Sequence, residues 1–183
     1  MEKSEFNLIC AIGNGDQEAF KCLVERYQKP LMNFIYRYVG DRHMAEDLTQ
    51  EVFLRIYQAA PRFEHRARVS TWIFKIAVNL CVNELKKHER RSMLIQDLHQ
   101  NADSHGDSKL DVTVQNRQIQ QAIMEALRKL PESQRVAILL KIFEGMSYKE
   151  IASVMETSVS SVESLVFRAR TSVRQLLSDC IGD

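Results

Sequence analysis

Apolar residues recur along most of this chain at the three- and four-residue spacing of helices buried on one side. Residues 5–15 are read as a short helix ending in the Gly13-Asn14-Gly15 turn. Asp16 then caps a helix whose apolar face is Phe20, Leu23, Val24, Tyr27, Leu31, Phe34, Ile35 and Tyr38. Pro30 lies inside that pattern and is expected to kink it. Gly40 ends this helix and Asp41 starts the next, residues 42–60, with Met44, Ala45, Leu48, Val52, Phe53 and Ile56 inward. Its other face shows Asp47, Gln50, Glu51 and Arg55, and Pro61 stops it. Residues 62–69 (RFEHRARV) form a basic loop containing Phe63. Ser70 or Thr71 is then expected to cap a helix over 72–91, with Trp72, Ile73, Ile76, Ala77, Leu80 and Leu85 as core. Asn79, Asn83, Lys86, Lys87, Arg90 and Arg91 lie away from that core.

Residues 92–115 lack a sustained period and are rich in Asp, Gln, Asn and Ser, which predicts a flexible linker. Helical periodicity returns over 116–130, with Ile119, Ala122, Ile123, Ala126, Leu127 and Leu130 inward. Pro131 breaks that helix and opens another, which runs to Glu144 with Val136, Leu139, Leu140 and Phe143 inward, and Gly145 closes it. Ser147 and Glu150 then form a Ser-x-x-Glu capping box before a short helix bearing Ile151, Ala152, Val154 and Met155. A polar turn, Glu156 to Ser158, stops it. Ser160 and Glu163 are read as a second capping box, opening a helix with Val162, Leu165, Val166, Ala169 and Val173 on one face. Two short helices around a tight turn make a helix-turn-helix, although Glu156 stands where a turn glycine is usual; a plain αα-hairpin is the alternative. The predicted fold is all-α: two small helical domains, 1–91 and 116–183, joined by the flexible acidic linker 92–115.

Composition narrows the function. The 183 residues are 45% hydrophobic, enough to build cores. No apolar run approaches the roughly 20 residues of a membrane span, and the start MEKSEFNLIC is too polar for a signal peptide, so a cytoplasmic location is expected. Cys10, Cys22, Cys81 and Cys180 are scattered, and none clusters with a histidine, which favours reduced thiols over disulfides or zinc. Phosphate-loop, nucleophile-elbow, zinc-protease and dinucleotide motifs are absent, so no catalytic residue, metal or cofactor is expected. The net charge of +1 hides an uneven distribution. From Arg62 to Arg91 eight cations (Arg62, Arg66, Arg68, Lys75, Lys86, Lys87, Arg90, Arg91) stand against Glu64, Glu84 and Glu89, a net of +5. From Ser92 to Gln115, Asp97, Asp103, Asp107 and Asp111 stand against Lys109, a net of −3. A solvated face, and cations suiting a helix C-terminus, would account for part of this.

A basic loop beside a helix displaying Trp72 and Asn79 has the ingredients for single-stranded DNA. Cations follow the backbone, aromatic rings offer stacking surfaces, and an amide pairs with a base edge. A lone tryptophan on an apolar face is more often core. Asn79 is harder to dismiss, because an asparagine inside a helix lowers its stability unless it has a partner.

Three stretches, AEDLTQEVFLRIY (45–57), STWIFKIAVNLCVNELKK (70–87) and SYKEIASVMETSVSSVESLVFRAR (147–170), resemble in order those of an extracytoplasmic-function sigma factor of RNA polymerase. The resemblance covers nearly the whole chain. It implies a first domain that binds the clamp helices of the polymerase β′ subunit and opens the −10 promoter element. A second domain would bind duplex DNA at −35 and the flap of the β subunit, and an anti-sigma factor would hold the two domains in a compact form. Carried across by residue, Asp47, Gln50, Glu51 and Arg55 would face polymerase. Phe63, Arg66, Arg68, Trp72, Asn79, Asn83, Lys86, Arg90 and Arg91 would meet the −10 strand, with 63–69 as the loop that captures an extruded base. Ser161, Glu163, Ser164, Leu165, Arg168 and Arg170 would fall on the −35 recognition helix.

The chain departs from the family where Gly-Thr-Val-Lys-Ser-Arg is frequent and Ser160-Ser161-Val162-Glu163-Ser164-Leu165 stands here. Glu163 either caps the helix or accepts from a cytosine amine. The linker's 24 residues reach at most about 80 Å extended and about 27 Å as a coil, against roughly 70 Å between elements two helical turns apart. Both a compact and an open form are therefore within reach. A stand-alone helix-turn-helix regulator and an adaptor that uses sigma-like helices only to bind another protein are the rival readings; the first does not need the 45–57 and 70–87 motifs, and the second predicts no promoter-specific transcript.

Overall fold

The computed structural model describes residues 5–64, 67–96 and 114–181. Among these the chain forms eight α-helices and one 3-10 turn, with no strand. The first helix, α1 (Glu5–Gly13), buries Leu8, Ile9 and Ile12. The Tyr27 hydroxyl, donating to Glu5 Oε1 at 2.6 Å, ties α1 to the next helix. Helix α2 (Gln17–Val39) opens where Asp16 accepts from the Ala19 amide at 3.0 Å, and it continues through Pro30 as one element. Gly40 closes it at φ 77, a conformation without penalty for glycine. Helix α3 (Arg42–Ala59) starts from Asp41 in the same manner, with the Met44 amide at 2.7 Å. Its end tightens into the 3-10 turn Ala60–Arg62, in which Pro61 is accommodated near the start.

Helix α4 (Val69–Gln96) is longer at both ends than the periodicity indicated. The Trp72 amide bonds to the Arg68 carbonyl at 3.1 Å, so Ser70 and Thr71 lie inside the first turn and do not cap it. Phe74, Val78 and Cys81 join its expected core residues in burial. Phe34 of α2 meets Phe74 edge-on at 5.4 Å, a favoured aromatic geometry at the centre of the N-terminal core.

Helices α5 (Val114–Arg128), α6 (Glu132–Ile142), α7 (Tyr148–Met155) and α8 (Val159–Ile181) form the C-terminal half. Ala126, Leu127, Leu130, Val136, Leu139 and Leu140 are buried as expected, but two residues read as core are not. Ile119 is 50% exposed. Phe143 is 40% exposed, and its ring lies 4.1 Å beneath the Arg37 guanidinium of α2. The acidic run at Asp97, Asp103, Asp107 and Asp111 lies outside the described residues.

The halves pack on one another, α4 against α7 and α2 against α5 and α6, so that buried apolar residues of both join one cluster. A guanidinium clamp fixes this seam at the C-terminus of α2, where carbonyls have no partner within the helix. Arg128 Nη2 donates to the Gly40 carbonyl at 2.7 Å, and Arg135 Nη1 to the Tyr38 carbonyl at 3.2 Å. Arg135 Nη2 also donates to the Arg128 carbonyl at 2.7 Å, which braces the two arginines together. A β-carbon at Gly40 would collide with the Arg128 guanidinium.

Candidate nucleic-acid interface

Residues 72, 75, 79, 83, 86 and 90 recur at helical spacing and fall on one stripe of α4. Asn79, Asn83, Lys86, Arg90 and Arg91 are exposed. Among the described residues neither asparagine side chain has a hydrogen-bond partner, which leaves both amides free to meet a base edge. Trp72 is half-buried and sits 4.6 Å from Phe63, itself half-buried and 6.4 Å from Phe6. These rings partly cover one another, so they wall the start of the stripe more than they offer open stacking faces. Arg66 lies outside the described residues; Arg68 is exposed at the helix start.

The stripe faces the C-terminal half. Arg68 Nη1 lies 3.1 Å from Glu150 Oε1, Lys75 Nζ 2.7 Å from Glu156 Oε1, and Lys86 Nζ 3.4 Å from Glu132 Oε1. Hydrogen bonds from Ser147, and then the Arg68 charge, hold the Glu150 carboxyl below the usual carboxylate range. The Lys75 hydrogen bond and charge do the same for Glu156.

The helix-turn-helix is α7 and α8. Its first helix carries the full capping box: the Glu150 amide donates to Ser147 Oγ at 3.3 Å, and the Ser147 amide to Glu150 Oε2 at 2.9 Å. Glu156 ends α7 at φ 52, the one positive-φ residue other than glycine among those described. The second capping box is displaced from its expected place. Ser158, not Ser160, caps α8, because Val159 joins the helix: the Ser161 amide donates to Ser158 Oγ at 3.1 Å, and the Val162 amide to the Ser158 carbonyl at 3.1 Å. Glu163 therefore stands five residues beyond the cap and does not serve as its reciprocal acid.

On the outer face of α8, Glu163, Ser164, Arg168 and Arg170 are exposed, and Ser161 is half-buried. Leu165 is half-buried against the core, as its place in the apolar pattern implies. The exposed apolar group is instead Phe167, 73% exposed, which lines one recess with Glu163, Ser164 and Arg168. Phe167 was missed by sequence reasoning, although its position one turn beyond Glu163 on the polar face is the signal that could have found it.

On α3, Asp47, Gln50 and Arg55 are exposed and Glu51 half-buried, with Arg55 Nε bonded to Glu51 Oε1 at 2.8 Å. Leu54 and Tyr57 stand exposed on the same helix, a second feature that sequence reasoning overlooked. Cys10, Cys22 and Cys81 are free thiols, and burial pushes that of Cys81 up to about 12. Among the described residues no helix is long and apolar enough to cross a membrane, and no three His, Cys, Asp or Glu side chains gather to hold a metal.

Residues 23–91 match sigma-70 region 2, and residues 120–173 match sigma-70 region 4. The chain is similar to the RNA polymerase sigma-H factor of Pseudomonas aeruginosa, 33% identical over 189 residues, covering 100% of this chain and 98% of that protein. It is also similar to the ECF RNA polymerase sigma-E factor of Escherichia coli K12, 35% identical over 175 residues, covering 91% of this chain and 90% of that one. Its fold resembles that of CnrH, solved in complex with the cytosolic domain of CnrY. There the TM-score is 0.73 at 23% identity, over 97% of this chain and 99% of that one. RpoE, solved with the anti-sigma factor NepR from Bartonella quintana, gives a TM-score of 0.70 at 24% identity, over 87% and 96%. With both sigma-70 regions matched in order and relatives aligned over nearly their whole lengths, the chain belongs to the sigma-70 family, as a sigma factor of the extracytoplasmic-function type.

Proposed function

We propose that this chain binds core RNA polymerase, recognises −35 and −10 promoter elements, opens the −10 element and so directs transcription initiation. It is a non-catalytic initiation factor, and its site of action would be the cytoplasm. Its domains would be 1–91 for polymerase and the −10 strand, 92–115 as linker and 116–183 for −35 DNA, a division supported by the matches to region 2 over 23–91 and region 4 over 120–173. The observation that carries the reading is the pairing, in one chain, of the α4 stripe with an exposed recognition helix α8.

The division of labour follows from chemistry. Asp47, Gln50, Glu51 and Arg55 give α3 a charged outer face for the β′ clamp helices, and exposed Leu54 and Tyr57 add apolar area to it. Asn79 and Asn83 would read base edges of an opened strand while Arg68, Lys86, Arg90 and Arg91 follow its backbone, with Phe63 and Trp72 walling the entry. On α8, Arg168 and Arg170 would hold phosphates. Phe167 would supply apolar contact to a thymine methyl and Glu163 an acceptor for a cytosine amine. The β flap would meet the same domain. An anti-sigma factor is the expected regulator, since RpoE was solved with one. In vitro transcription with purified core polymerase on a random promoter library tests the whole reading. It should give transcripts that share −35 and −10 sequences and depend on this chain; a library that yields none, with duplex binding retained by the chain alone, would make it a stand-alone regulator.

A further inference from the structure

We propose that α1 is a positioning element for the −10 face, with Phe6 and Gly13 setting where Phe63 and Trp72 stand at the start of the α4 stripe. The inference rests on the reading of that stripe as the strand-binding face. Helix α1 lies ahead of residues 23–91, which match region 2, yet it packs against the 3-10 turn and against α4. Near its start, the Phe6 ring lies 6.4 Å from that of Phe63, which in turn lies 4.6 Å from that of Trp72. The three rings make a chain from α1 to the first turn of α4. At its other end, α1 meets the 3-10 turn backbone to backbone. A β-carbon at Gly13 would lie 3.0 Å from the Ala60 carbonyl oxygen and 3.2 Å from the Pro61 α-carbon. That same carbonyl accepts from the Phe63 amide at 3.2 Å. Phe63 is therefore held twice from α1, at its ring by Phe6 and at its backbone through the Ala60 carbonyl.

Helix α1 can serve as a support because it is itself fixed. Leu8, Ile9 and Ile12 are buried, and Glu5 Oε1 accepts from the Tyr27 hydroxyl at 2.6 Å with Arg26 Nη1 at 3.7 Å. Phe6 sits beside this anchor but outside the buried cluster, with 37% of it exposed. A ring so placed adds less to burial than to geometry, since neighbouring rings settle into preferred offsets and tilts. Trp72 shares the stripe with Asn79, which follows about two helical turns on, so the angle of the indole shapes the wall that leads to that amide. An unstacked base binds better against walls that are fixed before it arrives, because less ordering remains to be done on binding. Without Phe6, the Phe63 ring loses its outer neighbour and is free to turn against Trp72.

The test uses the full chain and core polymerase, with wild type, Phe6→Ala, Phe6→Tyr and Gly13→Ala. Trp72 is the single tryptophan, so its fluorescence reads the wall without a label. Phe6→Ala should shift its emission to longer wavelength and raise its quenching by acrylamide. Phe6→Tyr restores the ring and should return both toward wild type. On a promoter selected from the random library by the wild-type holoenzyme, Phe6→Ala should lower permanganate-detected opening of the −10 element about fivefold, the scale of one aromatic pair, with core affinity unchanged. Gly13→Ala keeps every side chain of the wall and favours the helix, so it disturbs placement without weakening α1. It should lower opening as well, because the Ala60 carbonyl must give by a few tenths of an ångström. Wild-type opening in Gly13→Ala, a loss in Phe6→Ala that Phe6→Tyr does not rescue, or a loss matched by weaker core binding each overturn the positioning role. Opening by wild type and all variants alike sinks the positioning alone. A wild-type holoenzyme that opens no library promoter sinks the functional reading; Trp72 emission then decides the placement by itself, and no shift in Phe6→Ala overturns it.

Discussion

Asn79 illustrates what a single residue can disclose. An exposed asparagine in mid-helix lowers helix propensity, and its amide is left for an outside partner. Replacing it with alanine should relax discrimination at one −10 position by about 1–3 kcal/mol with core binding retained, measured in open-complex assays on single-base promoter variants. Full base preference in the variant would make Asn79 structural. Ser158 and Ser160 give the contrary lesson. Both serines suit a cap, and Ser160-x-x-Glu163 matches the capping-box pattern, but the cap falls two residues earlier, at Ser158. Ser158→Ala should therefore lower stability by about 1 kcal/mol in urea unfolding, and Ser160→Ala should be close to neutral. Equal effects would mean that the cap is shared.

At the scale of elements, several boundaries were legible from local chemistry. The side chains of Asp16, Asp41 and Ser147 open their helices, and Gly40 closes one through its left-handed backbone. Phe143 and Ile119 were not legible, because helical period gives a face and not its neighbour. Phe143 meets the Arg37 guanidinium in place of the apolar core, and Ile119 stays half exposed among the described residues. The same seam holds Glu144 beside Arg37 and Lys29. Burial pushes its carboxyl up to about 7 against the opposing pull of Arg37. A carboxyl whose folded value exceeds its unfolded one adds stability that is full below about 4.5 and is lost as pH rises through about 7. Relative to Glu144→Gln, wild type should thus lose melting temperature from pH 5 to 7.5 and level off above; parallel curves would mean that the carboxyl is not held this way.

At the scale of the molecule, the helical content, the order of the motifs and the reach of a compact form were readable in advance, but the contacts that join the halves were not. Glu132, Glu150 and Glu156 look in sequence like solvated or capping acids, and only the packing of α4 on α7 brings Glu150 and Glu156 to the cations of the stripe. Nor does periodicity indicate that Arg128 and Arg135 reach the carbonyl end of α2 across the seam. Such pairings depend on residues 81 and 88 positions apart, beyond the range of local patterns. The function we propose turns on one step, separation of the strands of the −10 element with core polymerase. Permanganate footprinting of a promoter from the library, with core polymerase alone and with this chain added, reads that step directly. Thymines of the −10 element should become reactive only when both proteins are present. A −10 element that stays duplex with both, or opens with core alone, would contradict it.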